Sequence, residues 1–246
     1  MRFEYKYYVP IFKLNDLRSM ILPFVDPDKY AIIYGGEYTV KSIYYDSPKL
    51  DMFFSKVNHL ANRLKVRVRG YNSFSDNNII FLEIKRKYEG PIQKNRAKIK
   101  LEDLVQYIDN KDFSAFKDSK YSSNINRFFY QVYSNSLQPI VNVIYEREAY
   151  HTKVIDIDND CRITFDKNIR SVFLPKIENL YDDEQSKLVN TDYFILEVKF
   201  NKYCPIWMKS ILQELSLIKE PASKYVMCVE NHCFPTLEKQ FFNYHY

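Results

Sequence analysis

The sequence predicts an α+β protein built on about eight antiparallel strands, with helices between and after them. Three observations carry this expectation. Eight segments alternate with a period of two, β-branched or aromatic residues filling one phase, and five of them carry a charged second phase. The chain holds 22 Tyr and 18 Phe but only 4 Gly, a content that favours strands. Helical spacing recurs in the connections and dominates the C-terminal end. So few glycines leave no Gly-rich loop to cradle phosphates, which excludes Rossmann and P-loop folds.

In chain order the strand segments are Arg2–Val9, Tyr38–Tyr45, Arg63–Tyr71, Ile79–Lys87, Ile92–Leu101, Pro139–Tyr150, Cys161–Asp166 and Tyr193–Phe200. In each, β-branched or aromatic residues fill one phase. Helices are expected at Asn15–Phe24, which opens on Asn-Asp as a cap, at Leu101–Ile108, and at Asn124–Ser136, where apolar residues recur three and four apart. Pro205–Leu217, with Pro in its first turn, Ala222–Cys233 and Thr236–Tyr244 read as a helical tail. Phe113–Ser123 and Leu174–Thr191 read as loops. No linker, repeat or low-complexity segment divides the 246 residues, which are read as a single domain, 1–246.

With 46% hydrophobic and 27% charged residues the composition is that of a soluble globular protein. A net charge of +5, with no run of five or six like charges, gives no reason to expect a nucleic-acid partner. Cys161, Cys204, Cys228 and Cys233 lack CxxC spacing, and His232 beside Cys233 lies in an apolar segment. They read as reduced, packed thiols rather than metal ligands. The first residues carry no apolar signal stretch, and no segment reaches the ~20 apolar residues that span a bilayer. A cytoplasmic location is therefore expected.

The chemistry lies in the charged phases. Side chains two apart on a strand share a face, so Arg2, Glu4 and Lys6 point one way and Phe3, Tyr5 and Tyr7 the other. The same rule puts Arg63, Lys65, Arg67 and Arg69 on one face, Glu83, Lys85 and Lys87 on another, and Lys94, Arg96, Lys98 and Lys100 on a third. Tyr193–Phe200 adds Glu197 and Lys199. An ordinary solvated sheet face mixes Glu, Lys, Ser and Thr, whereas these are rows of cations, and like charges side by side destabilise a sheet unless a ligand neutralises them. If the sheet closes with these phases inward, the cations converge on one water-filled channel with a strongly positive potential. The natural occupant is a polyanion, and phosphate suits Arg forks and mobile Lys charges better than carboxylate does. On this reading Arg67 sits in a repelling row, and its removal is expected to stabilise the ligand-free protein slightly.

The series Arg2-x-Glu4-x-Lys6-Tyr7, Lys65-x-Arg67-x-Arg69-Gly70-Tyr71 and Glu83-x-Lys85-x-Lys87 resembles the triphosphate tunnel metalloenzyme superfamily. Within it the chain is most similar to the VTC domain, the polyphosphate polymerase module. Lys94-x-Arg96, Tyr145-x-Arg147-x-Ala149-Tyr150, Arg162-Ile163-Thr164-Phe165-Asp166, Leu196-Glu197-Val198-Lys199 and Ser223-Lys224-Tyr225 come after them in family order. The resemblance implies an eight-stranded antiparallel β-barrel, the triphosphate tunnel, with peripheral helices. It further implies ATP and inorganic polyphosphate as partners and Mn²⁺ or Mg²⁺ as cofactor. Carried over position by position, the catalytic set is Lys6, Arg67, Arg69, Lys85, Arg147, Arg162 and Lys224. Lys65, Lys87, Lys94, Arg96 and Lys199 would add phosphate contacts. Glu197 would hold the metal, with Glu4 and Glu83 as further candidates.

Two positions depart from the family pattern. Tunnel triphosphatases open on Glu-x-Glu-x-Lys, but the first position here is Arg2. Losing a carboxylate disfavours a metal-activated water and favours holding a polyanion. Pro221 stands where the eukaryotic polymerases carry a basic residue, a place Lys219 could take. The expected activity is therefore a polyphosphate polymerase that uses ATP. The alternatives are a tunnel triphosphatase acting on inorganic or nucleoside triphosphate, and a non-catalytic polyphosphate or inositol-phosphate binding module. The chain itself carries no membrane segment, which leaves room for a membrane partner.

Overall fold

A computed structural model of the chain describes residues 3–73, 79–88, 93–110, 114–153 and 160–233. The first half runs β1 (Phe3–Pro10), α1 (Leu14–Ile21), β2 (Val25–Pro27), α2 (Lys29–Ile33), β3 (Glu37–Asp46), α3 (Asp51–Val57), β4 (Arg63–Tyr71), β5 (Ile79–Lys87) and β6 (Gln93–Lys100). It continues with α4 (Leu101–Asn110), α5 (Ser122–Ser134), β7 (Gln138–Thr152), β8 (Arg162–Phe173), β9 (Lys187–Leu188), β10 (Tyr193–Phe200), α6 (Ile206–Glu214) and α7 (Lys224–Cys233). The α+β class is as expected, and all eight anticipated strands are present. Residues Arg2, Ile92 and the Thr236–Tyr244 helix lie outside the described residues.

The hydrogen-bonded strand order is β1-β10-β8-β7-β3-β4-β5-β6, with β2 on β7 and β9 on β8. Among the described residues β1 and β6 are the two ends of this path and do not pair with each other, so backbone bonding does not close the sheet as a barrel requires. The structure groups into two compact units: the described residues of Met1–Thr39, Tyr145–Ile169 and Leu188–Ser223, and those of Val40–Ile144, Arg170–Lys187 and Lys224–Tyr246.

In the first unit, alternation directs one phase of three adjacent strands into a core. Tyr7 and Val9 of β1, Ile163 and Phe165 of β8, and Phe194, Leu196 and Val198 of β10 pack with Leu17 and Ile21 of α1 and Met208 and Ile211 of α6. The register places Tyr7 opposite Leu196 and Leu196 opposite Phe165. It therefore aligns the charged phase as well: Lys6 faces Glu197, which faces Thr164, while Glu4 faces Lys199, which faces Arg162.

In the second unit, Val66 and Val68 of β4, Ile80, Leu82 and Ile84 of β5, and Ala97 and Ile99 of β6 are buried against Leu104 and Tyr107 of α4 and Ile125, Phe128 and Phe129 of α5. Large apolar side chains of this kind each contribute roughly 1.5–3 kcal/mol when fully buried. Gly70 sits close to Tyr181: a Cβ built on it would lie 2.6 Å from the Tyr181 hydroxyl, so any larger residue must displace that side chain. Asp46, at the end of β3, is fully buried and organises the turn into α3. Its carboxylate accepts the amide hydrogens of Ser47, Met52 and Phe53, the last two at the start of α3, and the Tyr225 hydroxyl hydrogen at 2.5 Å. The four cysteines are free, three of them buried. His232 stacks on Phe173 and bonds Ser171, as a packed residue does.

Candidate functional site

On β4, β5 and β6 the charged residues stand in straight cross-strand rows. Lys65 is opposite Lys85, and Lys85 opposite Lys94; Arg67 is opposite Glu83, and Glu83 opposite Arg96; Arg63 is opposite Lys87. Glu83 is the single carboxylate on these strands, and it is buried at 3% exposure. Its Oε2 accepts Arg67 Nε at 2.7 Å and lies 2.6 Å from Arg67 Nη2. Its Oε1 lies 3.1 Å from Lys94 Nζ and 3.2 Å from Arg96 Nε. Burial alone would raise the Glu83 carboxyl, but the charges of Arg67, Arg69 and Lys94 outweigh it and hold the group well below the usual carboxylate range.

Aromatic and hydroxyl side chains steady the arginines. Arg67 Nη1 donates to the Tyr44 hydroxyl at 2.7 Å, and Arg69 Nε donates to Ser42 Oγ at 3.0 Å. Arg96 lies 3.6 Å over the Phe81 ring, a cation–π contact. Burial pushes the Tyr44 phenol up, yet Arg67, Lys65 and Arg69 outweigh it and bring the group down to about 8. Tyr44 stacks on Tyr225 at 5.1 Å between centroids, and Tyr225 is the neighbour of the buried Lys224. The cations Lys65, Lys85, Lys87 and Lys98 fill the rest of the face, and Lys85 is exposed.

The first unit holds the other group of expected residues. Lys6 Nζ is 3.1 Å from Glu4 Oε1 and 3.3 Å from Glu197 Oε1, and it donates to the Ala222 carbonyl at 3.1 Å. Glu197 Oε2 accepts Lys199 Nζ at 2.7 Å and lies 3.7 Å from Arg147 Nη2. Arg147 grips Asp166 with two hydrogen bonds, of 2.6 and 2.7 Å. Burial would lower this guanidinium, but Asp166 dominates and raises it well above its ordinary value. Burial prevails at Lys199 and pushes its ammonium down. Arg162 Nη2 donates to Asp28 Oδ2 at 2.7 Å, while Asp28 Oδ1 caps α2 by accepting the Ala31 amide hydrogen.

This cluster balances its own charge: Glu4, Glu197 and Asp166 against Lys6, Lys199 and Arg147. Each carboxylate faces a cation at contact distance, and among the described residues no three His, Cys, Asp or Glu side chains come together as metal ligands. A divalent ion added to Glu4 and Glu197 would leave two positive charges uncompensated in a partly buried site, which is strongly unfavourable. The carboxylates therefore do not fit a resident metal. Glu83 fits one still less, since four cations surround it.

The structure thus brings together Arg67, Arg69, Lys85, Lys94, Arg96, Lys65 and Lys87 on one face, and Lys6, Arg147, Lys199, Glu4 and Glu197 in one cluster. Arg162 pairs with Asp28, the residue that caps α2, and Lys224 is buried on α7. Sequence reading missed Tyr44, Ser42, Asp28 and Asp166 as partners. Tyr44 and Ser42 share a phase of β3 opposite Arg67 and Arg69, a signal visible only once the pairing is known.

Solved structures resemble this fold at low identity. HpAC1 from Hippeastrum, studied as an adenylyl cyclase and described as having a dominant triphosphatase activity, aligns over 96% of this chain and 98% of its own, at 14% identity and a TM-score of 0.51. A candidate adenylate cyclase from Bacillus halodurans aligns over 91% of this chain and 94% of its own, at 10% identity and a TM-score of 0.49. Among curated proteins, the vacuolar transporter chaperone complex subunit 4 of Trypanosoma brucei brucei is 22% identical over 205 residues, 70% of this chain and 26% of that protein. The match thus spans about a quarter of that relative's length. The VTC domain family matches residues 1–232, nearly the whole chain, as the ordered series of charged motifs leads one to expect. The chain belongs to the VTC domain family.

Proposed function

We propose that this chain is a polyphosphate polymerase, transferring the γ-phosphoryl group of ATP to the end of a growing polyphosphate chain in the tunnel that the family implies. The observation that carries this reading is the β4–β6 face, where rows of Arg and Lys surround one glutamate. Such a face would neutralise a phosphate chain, while its one carboxylate, Glu83, is already held by Arg67, Lys94 and Arg96 and is not available to position a metal-bound water. The acceptor is a terminal phosphate oxygen, already anionic, so no protein nucleophile or general base is needed. A bond forms from that oxygen to the γ-phosphorus as the bond to the β-phosphate oxygen breaks, and ADP leaves. Arg67, Arg69, Lys85 and Lys94 would neutralise the phosphates in line, with Lys6, Arg147, Arg162, Lys199 and Lys224 as further contacts.

Manganese or magnesium enters on this reading with the substrate, as the counter-ion of ATP, since the carboxylates present are already matched by cations. The family match spans both compact units, which supports treating them as one functional domain. Among the described residues no helix is long and apolar enough to cross a membrane. We place the activity in the cytoplasm, with any membrane partner outside this chain.

The second reading, hydrolysis of triphosphate, draws on the fold shared with a protein described as a triphosphatase. Incubation with ATP and Mn²⁺, with products resolved on a polyacrylamide gel, separates the readings. A ladder of long polyphosphate supports the polymerase, orthophosphate without a ladder supports the hydrolase, and unchanged ATP supports a binding module.

A further inference from the structure

Glu83 occupies an unusual place. It is the single carboxylate on β4, β5 and β6, and every other charged residue sharing its phase there is a cation. It is more deeply buried than the cations it meets, at 3% exposure against 52% for Lys94 and 39% for Arg96. Its two oxygens are treated differently. Oε2 is held by two nitrogens of Arg67 at 2.7 and 2.6 Å, and Arg67 is pinned from its other end by the Tyr44 hydroxyl. Oε1 is buried without a hydrogen bond and has only the looser ion contacts of Lys94 and Arg96. A buried carboxylate oxygen left in that state is costly, so it attracts any cation that reaches it.

We propose that Glu83 is a built-in counter-anion and positioning residue: its Oε2 fixes Arg67 in place, while its Oε1 parks Lys94 and Arg96 until a phosphate oxygen takes them over. This rests on the polyphosphate reading and deepens it. Without ligand, Glu83 offsets part of the repulsion within the cation rows. With ligand, Lys94 and Arg96 exchange one anion for another, so the gain on binding is smaller than the cations alone would supply. A chain that advances one phosphate at a time needs such sites, favourable enough to enter and weak enough to leave, as ions in a selective pore do. Glu83 thereby assigns two kinds of cation to the face: Arg67 is fixed, and Lys94 and Arg96 are released and recaptured.

The test is titration of wild type, Glu83→Gln and Glu83→Asp with inorganic tripolyphosphate at constant ionic strength. Glu83→Gln keeps an acceptor for Arg67 but removes the competing charge. It is expected to bind tripolyphosphate about tenfold tighter, to melt lower without ligand, and to gain more in melting temperature with it; Glu83→Asp should return towards wild-type affinity. Equal or weaker binding by a folded Glu83→Gln, with wild type binding normally, overturns the inference and leaves the polyphosphate reading standing. Failure of wild type itself to bind tripolyphosphate overturns both. Should Glu83→Gln not fold, a crystal structure of wild type with tripolyphosphate decides: Lys94 and Arg96 withdrawn from Oε1 with Arg67 still on Oε2 supports the inference, and all three unchanged overturns it.

Discussion

Arg147 and Asp166 form a two-pronged ion pair inside the first unit, with Asp166 wholly buried and both hydrogen bonds at or below 2.7 Å. A guanidinium that the family resemblance assigns to phosphate is thus already matched by a carboxylate. Its orientation is set by Asp166 of β8, which on the proposed reading would hold it preorganised for a phosphate.

Asp166→Ala therefore acts on stability before it acts on binding. Removing one member leaves the buried Arg147 with only the looser Glu197 contact at 3.7 Å to offset its charge, at a cost of up to about 3–5 kcal/mol. Urea denaturation should show this loss. A variant within about 0.5 kcal/mol of wild type, the range of ordinary surface changes, would mean that water replaces the carboxylate.

Arg67→Ala reverses an expectation drawn from the sequence. Its place among Lys65 and Arg69 suggests relief of repulsion on removal, but the buried Glu83 beside it would lose its two closest contacts. The ligand-free variant is expected to lose about 1.5–3 kcal/mol and to bind tripolyphosphate roughly ten- to a hundredfold more weakly. Thermal melts with and without tripolyphosphate measure both effects, and a higher ligand-free melting temperature would restore the repulsion argument.

Tyr44 gives the face a pH dependence. With its phenol brought down to about 8, ionisation sets a negative charge beside Arg67. Tripolyphosphate affinity should fall as pH rises through about 8, and this limb should vanish in Tyr44→Phe. Because the folded-state value lies below the unfolded one, the same ionisation adds stability as pH rises from about 8 towards 10, and that contribution is lost as pH falls back through 8. An unchanged limb in Tyr44→Phe would assign the titration to another group.

Gly70→Ala tests the packing that stands behind this face. The new Cβ would meet the Tyr181 hydroxyl at 2.6 Å, and overpacking of this sort typically costs about 1–3 kcal/mol. The same substitution made together with Tyr181→Ala should cost less than the sum of the two single changes. Strict additivity would show that the close approach carries no energy.

Much of the fold was legible because charge and apolarity alternate so regularly. Arg63–Tyr71, Ile79–Lys87 and Tyr193–Phe200 form strands with the bounds the alternation gives. Other elements were hidden for local reasons. β8 runs on to Phe173, past Asp166 where the expected segment ends; Asn168 adopts a left-handed φ of 49°, yet the strand continues past it. α3 has no capping residue next to its start, since Leu50 precedes it with φ 58° and the cap comes from the more distant Asp46. α2 exposes Tyr30, Ile32 and Ile33, so no apolar period marks it. For the site, alternation revealed which residues share a face but not the counter-ions. Arg162 meets Asp28 across 134 positions, and Arg147 meets Asp166 across 19, separations that no local pattern records.

Polymerisation itself is tested most directly by a phosphorus NMR time course of the protein with ATP and Mg²⁺. Signal from internal polyphosphate phosphorus is expected to grow in step with ADP, with phosphate lost from ATP appearing in chains rather than as orthophosphate. ADP rising together with orthophosphate, and no internal chain signal, would contradict a polymerase.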